Sequence, residues 1–404
     1  MTAGNTPEQR DMGYVEFVVL MALVTSTVAL STDAIMPAMP LIGSELGARD
    51  DNHRQLVIGI LFLGLASSQI LFGPLSDSLG RKPVMYVGVA LLSIGCLIAI
   101  WAPTFEIMLI GRFIQGVGAG GPRVVSVAVI RDRFEGRLMA RTMSLIMTIF
   151  ILVPVFAPTI GQGLMMAAGW RAIFWFFLTM GVSTAAWIYL RMPETLAAAH
   201  RHPLSFTRTA RAFKEIITTR STMGYLFSIA FIFAAFVGYL TSAQQILQEL
   251  YGLGDAFPIA FGLLACSLGI SSLLNAKLVM RLGMRKLAYA SLSTQVALGT
   301  ALSITAWAYG GVPPFWLMCA LMGPLFFCVG TLFGNLNALA MQPMGHIAGS
   351  AAAVIGASTT TISSILGSFI GQAYNETILP LSLGFAVFGS LSLCFFMWAG
   401  KGKI

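Results

Sequence analysis

Runs of about 20 apolar residues recur twelve times along this chain, roughly at 15–39, 56–74, 84–102, 106–128, 142–164, 171–190, 222–244, 257–276, 287–308, 313–338, 347–371 and 378–399. Each is long enough to cross the hydrocarbon of a bilayer as a helix. The polar, Gly- and Pro-broken stretches between them cannot lie in hydrocarbon, where open backbone groups and ions go unsatisfied. The chain therefore reads as an all-α integral membrane protein with twelve transmembrane helices. Composition agrees: 57% hydrophobic and 10% charged residues leave too little polar surface to coat a soluble domain of 404 residues. The first run is not read as a cleavable signal peptide, because it is longer than a signal core, carries Asp33 and lacks a small-residue cleavage site after it.

Charge placement supplies an orientation. With the amino terminus on the cytoplasmic side, nineteen of the 24 Lys and Arg residues fall on that side and only Arg49, Arg54 and Arg171 on the other, with Arg112 and Arg123 inside the membrane. By the positive-inside rule, both termini are expected in the cytoplasm and the protein in the inner membrane. The net charge of +8 is then topogenic and spread over loops, so no nucleic-acid partner is expected. The five cysteines sit singly in apolar runs and the four histidines fall in loops, which offers neither a disulfide framework nor a metal site. No nucleophile–base pair or phosphate-cradling loop appears, which argues against an enzyme.

The stretch Gly73-Pro74-Leu75-Ser76-Asp77-Ser78-Leu79-Gly80-Arg81-Lys82-Pro83 is charged, broken by Gly and Pro, and wedged between two apolar runs, so it is expected to be a loop. It resembles the G-x-L-a-D-r-x-G-r-k signature between the second and third helices of major facilitator superfamily transporters, with Ser78 where the family usually has Arg. The resemblance implies two pseudo-symmetric six-helix bundles with a substrate site between them. A fainter echo, Arg281-Leu282-Gly283-Met284-Arg285-Lys286, follows the eighth run, with Gly283 placed 203 residues after Gly80. The expected organisation is an amino-terminal bundle at 1–190, a cytoplasmic linker at 191–220 and a carboxy-terminal bundle at 221–404. Gly73, Asp77, Gly80, Arg81 and Asp132 form the expected conformational latch. In it, Asp77 accepts hydrogen bonds at the start of the eleventh helix and Arg81 pairs with Asp132, contacts expected to form in the outward-facing state and to break for inward opening.

Ions inside the membrane are costly and normally functional. Asp33 lies late in the first run, and its Asp-then-Pro context with Pro37 resembles the first helix of the bicyclomycin- and chloramphenicol-resistance (Bcr/CflA) branch of drug:proton antiporters. A buried carboxyl that can lose and regain a proton is what a reversible proton carrier needs; the bland alternative is a wetted acid capping a kink. Arg112-Phe113-Ile114-Gln115-Gly116-Val117-Gly118 resembles the family motif R-x-x-Q-G-x-G, which makes Arg112 the expected partner in proton coupling. A static clamp on backbone carbonyls is an equal alternative for it. Arg123 is expected to snorkel into water if the fourth helix ends a few residues early. In the fifth run Pro154, Pro158 and Gly161 resemble the antiporter motif, although Ala157 and Gln162 replace two of its glycines. Gly345 to Ala351 resembles the A-G-[ST]-A start of the eleventh helix in the same branch.

The later runs hold aromatics and amides instead of ions. Asp33, Gln115, Phe236, Tyr239 and Asn335 are the expected substrate contacts. One acid among apolar, aromatic and amide walls suits small amphipathic drugs, neutral or monocationic, better than sugars or phosphates. The sequence thus points to a monomeric exporter that exchanges such compounds for protons, with the proton gradient as its energy source and no cofactor. An exporter of an endogenous metabolite or siderophore and a proton-driven importer are the alternatives on the same fold. A non-transporting receptor is disfavoured, since only Lys401-Gly402-Lys403-Ile404 follows the last run.

Overall fold

The computed structural model of the protein describes residues 12–201 and 206–400. Among these residues it is all helix: α1 (Tyr14–Asp33), α2 (Met39–Leu46), α3 (Leu56–Leu79), α4 (Arg81–Ile100), α5 (Phe105–Arg133), α6 (Gly136–Ala168) and α7 (Arg171–Arg191) precede a short α8 (Phe206–Thr218). Then come α9 (Arg220–Ala243), α10 (Phe257–Leu282), α11 (Met284–Ala308), α12 (Phe315–Met341), α13 (Ala348–Gln372) and α14 (Leu379–Ala399). With α2 read as a continuation of the first span and α8 as a connector, twelve long helices remain, and these are the twelve apolar runs. Large apolar side chains such as Val182, Leu263 and Phe369 are exposed on the outside, as they must be where the solvent is lipid. The inside is comparatively polar, and α1 buries Ser26, Ser31, Thr32 and Asp33.

One sequence expectation needs correcting. The stretch 73–83 is not an open loop: α3 runs through Pro74 to Leu79 and α4 begins at Arg81, so the break is Gly80 alone. Gly80 adopts φ 103°, a region open to glycine and strained for other residues. Reading hydropathy ends a span where apolarity ends, yet backbone pairing continues into the polar region. The expected linker contains α8, whose Ala212 and Ile216 are buried while Phe213 and Ile217 are exposed. Its Glu215 Oε1 lies 2.7 Å from His346 Nε2, just before α13.

Close helix contacts run both within and between the sequence halves. Within the first half α5 packs tightly against α3 and α4, and within the second α9 packs against α13 and α14. Across the seam α3 lies along α13 and α6 along α10. These four seam helices, with the ends of α1 and α9, frame the functional region.

Candidate functional site

Asp33 is the last residue of α1, where the helix gives way to a turn and a 3₁₀ segment, Met36–Ala38, containing Pro37. Proline cannot donate to the preceding turn, so the helix breaks here, one step after the acid. The carboxyl is buried, with the residue 3% exposed, and among the described residues no side chain hydrogen-bonds or ion-pairs with it. Tyr239 of α9, also buried, lies close enough to interact with it electrostatically. Among the described residues the Tyr239 hydroxyl has no hydrogen-bond partner.

Tyr239 opens an aromatic wall. Its ring meets Phe326 of α12 edge-on at 4.7 Å and stacks on Phe261 of α10 at 5.7 Å. Phe236 touches Phe326 and Phe333, and Phe233 meets Phe62 of α3 edge-on at 5.9 Å across the seam. Edge-to-face pairing of this kind adds roughly 0.5–1.5 kcal/mol per pair beyond the buried area. Asn335 is engaged elsewhere: its amide donates to Asn275 Oδ1 of α10 at 2.7 Å and to the Thr331 carbonyl at 3.0 Å. That tie joins α12 to α10 and spends the amide's N–H donors, while among the described residues Asn335 Oδ1 takes no hydrogen bond.

Arg112 lies in the interior of the first half, fully buried. Nε donates to the Val57 carbonyl of α3 at 3.0 Å, Nη2 to the Ser31 carbonyl of α1 at 2.8 Å, and Nη1 to Gln115 Oε1 at 2.7 Å. This is the clamp arrangement: one guanidinium fork ties three helices. It reaches the backbone two residues before Asp33 and does not touch the Asp33 carboxyl. Gln115 is spent in the same network, with its amide directed at Ser31 Oγ. Neither residue faces an open space.

The antiporter-like segment of the fifth span has a definite structural place. Helix α6 runs unbroken through Pro154 and Pro158 for 33 residues. A Cβ at Gly161 would collide with the Ala34 carbonyl oxygen, so this glycine lets α6 lie directly on the backbone that follows Asp33. The motif and the acid, separate in sequence, meet here.

At the end bearing the termini, Arg81 is buried and donates through Nε to Asp132 Oδ2 at 2.8 Å and through Nη1 to Asp77 Oδ1 at 2.6 Å and Ser76 Oγ at 2.8 Å. Asp77 is thus bound within the first half in this structure, held by its i,i+4 spacing from Arg81, whereas the expected bond to the start of α13 belongs to the outward-facing state. Gly73 faces α13 instead, with Ala353 3.9 Å from where its Cβ would be.

A model of the Major Facilitator Superfamily matches residues 21–371. The chain belongs to that superfamily. It is a multi-pass membrane transporter and not an enzyme. The sequence is 27% identical to a bicyclomycin resistance protein homolog of Haemophilus influenzae, covering 90% of this chain and 91% of that one. It is 26% identical to the multidrug resistance protein MdtL of Escherichia coli strain SMS-3-5, covering 92% of each. Among solved structures, the partially occluded inward-open form of the xylose transporter XylE from E. coli superposes with a TM-score of 0.73 at 14% identity over 97% of this chain and 99% of that one. The human organic anion transporter MFSD10 superposes with a TM-score of 0.65 at 17% identity over 98% and 100%. At such identities the likeness to these two structures concerns the fold.

Two features of this superfamily member escape the motifs. At the end away from the termini the halves are laced together. Asn52 Nδ2 donates to the Gln372 and Tyr374 carbonyls at 3.0 and 2.8 Å, while Gln372 Nε2 returns a bond to the Asn52 carbonyl at 2.7 Å. Gln55 pairs with Gln245, Arg54 with Glu249 at 2.6 Å, and Gln162 with Asp255 at 2.9 Å. Gln244 to Leu250 form a π-helical turn, which carries Gln245 to the seam. The second feature is Glu194, whose carboxylate accepts from the backbone amides of Arg81 and Lys82 at 2.9 and 3.0 Å and so caps α4. Amides recurring at one end of spans two, seven and eleven are the signal that marks the lacing in the sequence.

Proposed function

We propose that the protein is a proton-coupled exporter of small amphipathic compounds, antibiotics among them, that works by alternating access from an inner membrane with both termini cytoplasmic. The observation that carries this reading is Asp33. It is a buried acid at a helix break, on the seam between the halves, without a cation that would lock it in one charge state. Its protonation is therefore free to follow whichever compartment it last faced. Gly161 places α6 on the backbone beside it, so a shift of α6 is felt at the acid. The aromatic wall offers apolar, stackable area without the fixed polar partners that a sugar requires. The names of the relatives, drawn from drug and bicyclomycin resistance, support the same direction.

In this state the hydrogen bonds and ion pairs that cross the seam among the described residues are those at the far end, together with Gln69 to Thr360 at 3.1 Å at mid-depth. The far side is shut while Asp33 is enclosed behind it. Export requires that lacing to open, with the acid then exposed to the outer medium, where it takes up a proton as the compound leaves.

The test is Asp33→Asn in purified protein reconstituted into proteoliposomes. An amide cannot titrate, so a pH gradient is expected to drive no accumulation, while energy-independent exchange of a substrate dye survives. Gradient-driven transport at the wild-type rate would remove Asp33 from coupling.

A further inference from the structure

We propose that Arg123 is an anion-recognition residue in the translocation path, so that the compounds this protein binds include amphipaths carrying a carboxylate or similar anionic group. The inference rests on the reading of the seam as the substrate route and specifies what travels along it.

Arg123 follows Arg112 by 11 residues on α5. At about 100° per residue that returns it to within about 20° of the same helix face, about 16 Å nearer the end bearing the termini. Helix α5 does not end early but continues to Arg133, ten residues or about 15 Å beyond it. Its guanidinium lies 6.0 Å from the ring of Phe150 on α6.

Arg123 is surrounded by protein, yet it remains partly exposed. Because it shares the inward-facing side of α5 with Arg112, we read that exposure as a crevice between helices and not as contact with lipid. Among the described residues no carboxylate pairs with Arg123 and no acceptor takes its N–H groups. Four other arginines contrast with it. Arg112 spends its fork on carbonyls, Arg81 on Asp132 and Asp77, Arg191 on Glu16 and Arg54 on Glu249. Asp33, in turn, is sealed behind the closed far end. The fixed charge offered to a compound entering from the end bearing the termini is therefore a cation with a planar set of free donors, and an aromatic ring lies beside it. A guanidinium in that condition matches a carboxylate in two parallel hydrogen bonds, and Phe150 supplies the apolar contact next to it.

The experiment uses full-length protein in detergent and a matched pair of probes: a rhodamine with a free carboxylate and its ethyl ester. Binding is read by fluorescence anisotropy for wild type, Arg123→Gln and Arg123→Lys. Wild type is expected to bind the acid about tenfold more tightly than the ester, the size of one charge-assisted contact. In Arg123→Gln the ratio should fall to near one, and in Arg123→Lys it should lie between the two. A wild-type protein without preference for the acid, or an Arg123→Gln variant that keeps it, overturns the inference. The assay needs no gradient. If the acid preference is absent while reconstituted protein still expels the ester against a pH gradient, this inference falls and the transport reading stands.

Discussion

The two arginines of α5 show how one residue type serves opposite ends on one helix. Arg112 is fully satisfied and holds α1, α3 and α5 together, whereas Arg123 has donors to spare. Lysine keeps the charge at position 112 but carries its three donors on a single point, so it cannot reach the Val57 and Ser31 carbonyls as the fork does. Arg112→Lys should therefore cost about 2 kcal/mol or more, because a buried carbonyl loses its partner. Thermal unfolding of the purified variant checks this, and an unchanged midpoint would deny the clamp. An ion in an apolar run stands out, so Asp33, Arg112 and Arg123 were legible as unusual from the sequence. Their partners were not. The acceptors of Arg112 are backbone carbonyls, which every residue has and no side-chain pattern announces. The engagement of Asn335 with Asn275 depends on the packing of α10 on α12, which periodicity does not reveal.

At the level of helices, number and order were readable because bilayer thickness fixes length, while the ends were not. The α3–α4 junction shrinks to Gly80 because charged residues sustain a helix once it leaves the hydrocarbon. The π-helical turn after α9 also left no mark in hydropathy. The contact between α6 and the segment after Asp33 is the element-scale feature with the sharpest consequence. Gly161→Val places two methyl groups where the Ala34 carbonyl lies and must push α6 outward. Overpacking of this kind costs about 1–3 kcal/mol, so the variant is expected to insert and fold but to lose roughly tenfold or more in transport rate. Membrane abundance by immunoblot and dye efflux from the same cells separate the two effects. Full efflux by Gly161→Val would show that α6 does not transmit movement to the acid.

For the molecule as a whole, the lacing at the far end is what the proposed alternating-access cycle must undo. With the five native cysteines replaced by serine, Gln55→Cys and Gln245→Cys joined by a short bifunctional thiol reagent should hold that end shut. Transport is expected to stop while binding from the opposite side persists, and a cleavable linker should restore transport on reduction. Continued transport by the cross-linked protein would place the moving seam elsewhere. The two-halved plan was suggested by the spacing of Gly80 and Gly283, but which end is shut depends on amides and carbonyls meeting across some 190 to 320 residues of chain, a distance over which no local pattern operates. The make-up of this closure has a further consequence. Among its ties in the described residues only Arg54 to Glu249 joins two full charges, and of that pair the arginine is 7% and the glutamate 39% exposed, so it is partly buried. Dissolved salt weakens attractions between exposed charges, over a screening length of about 10 Å at 0.1 M, but scarcely touches neutral amide bonds. On the proposed cycle, the far end should therefore open at much the same rate in dilute and in briny surroundings, and changes in osmotic habitat would leave its pace untouched.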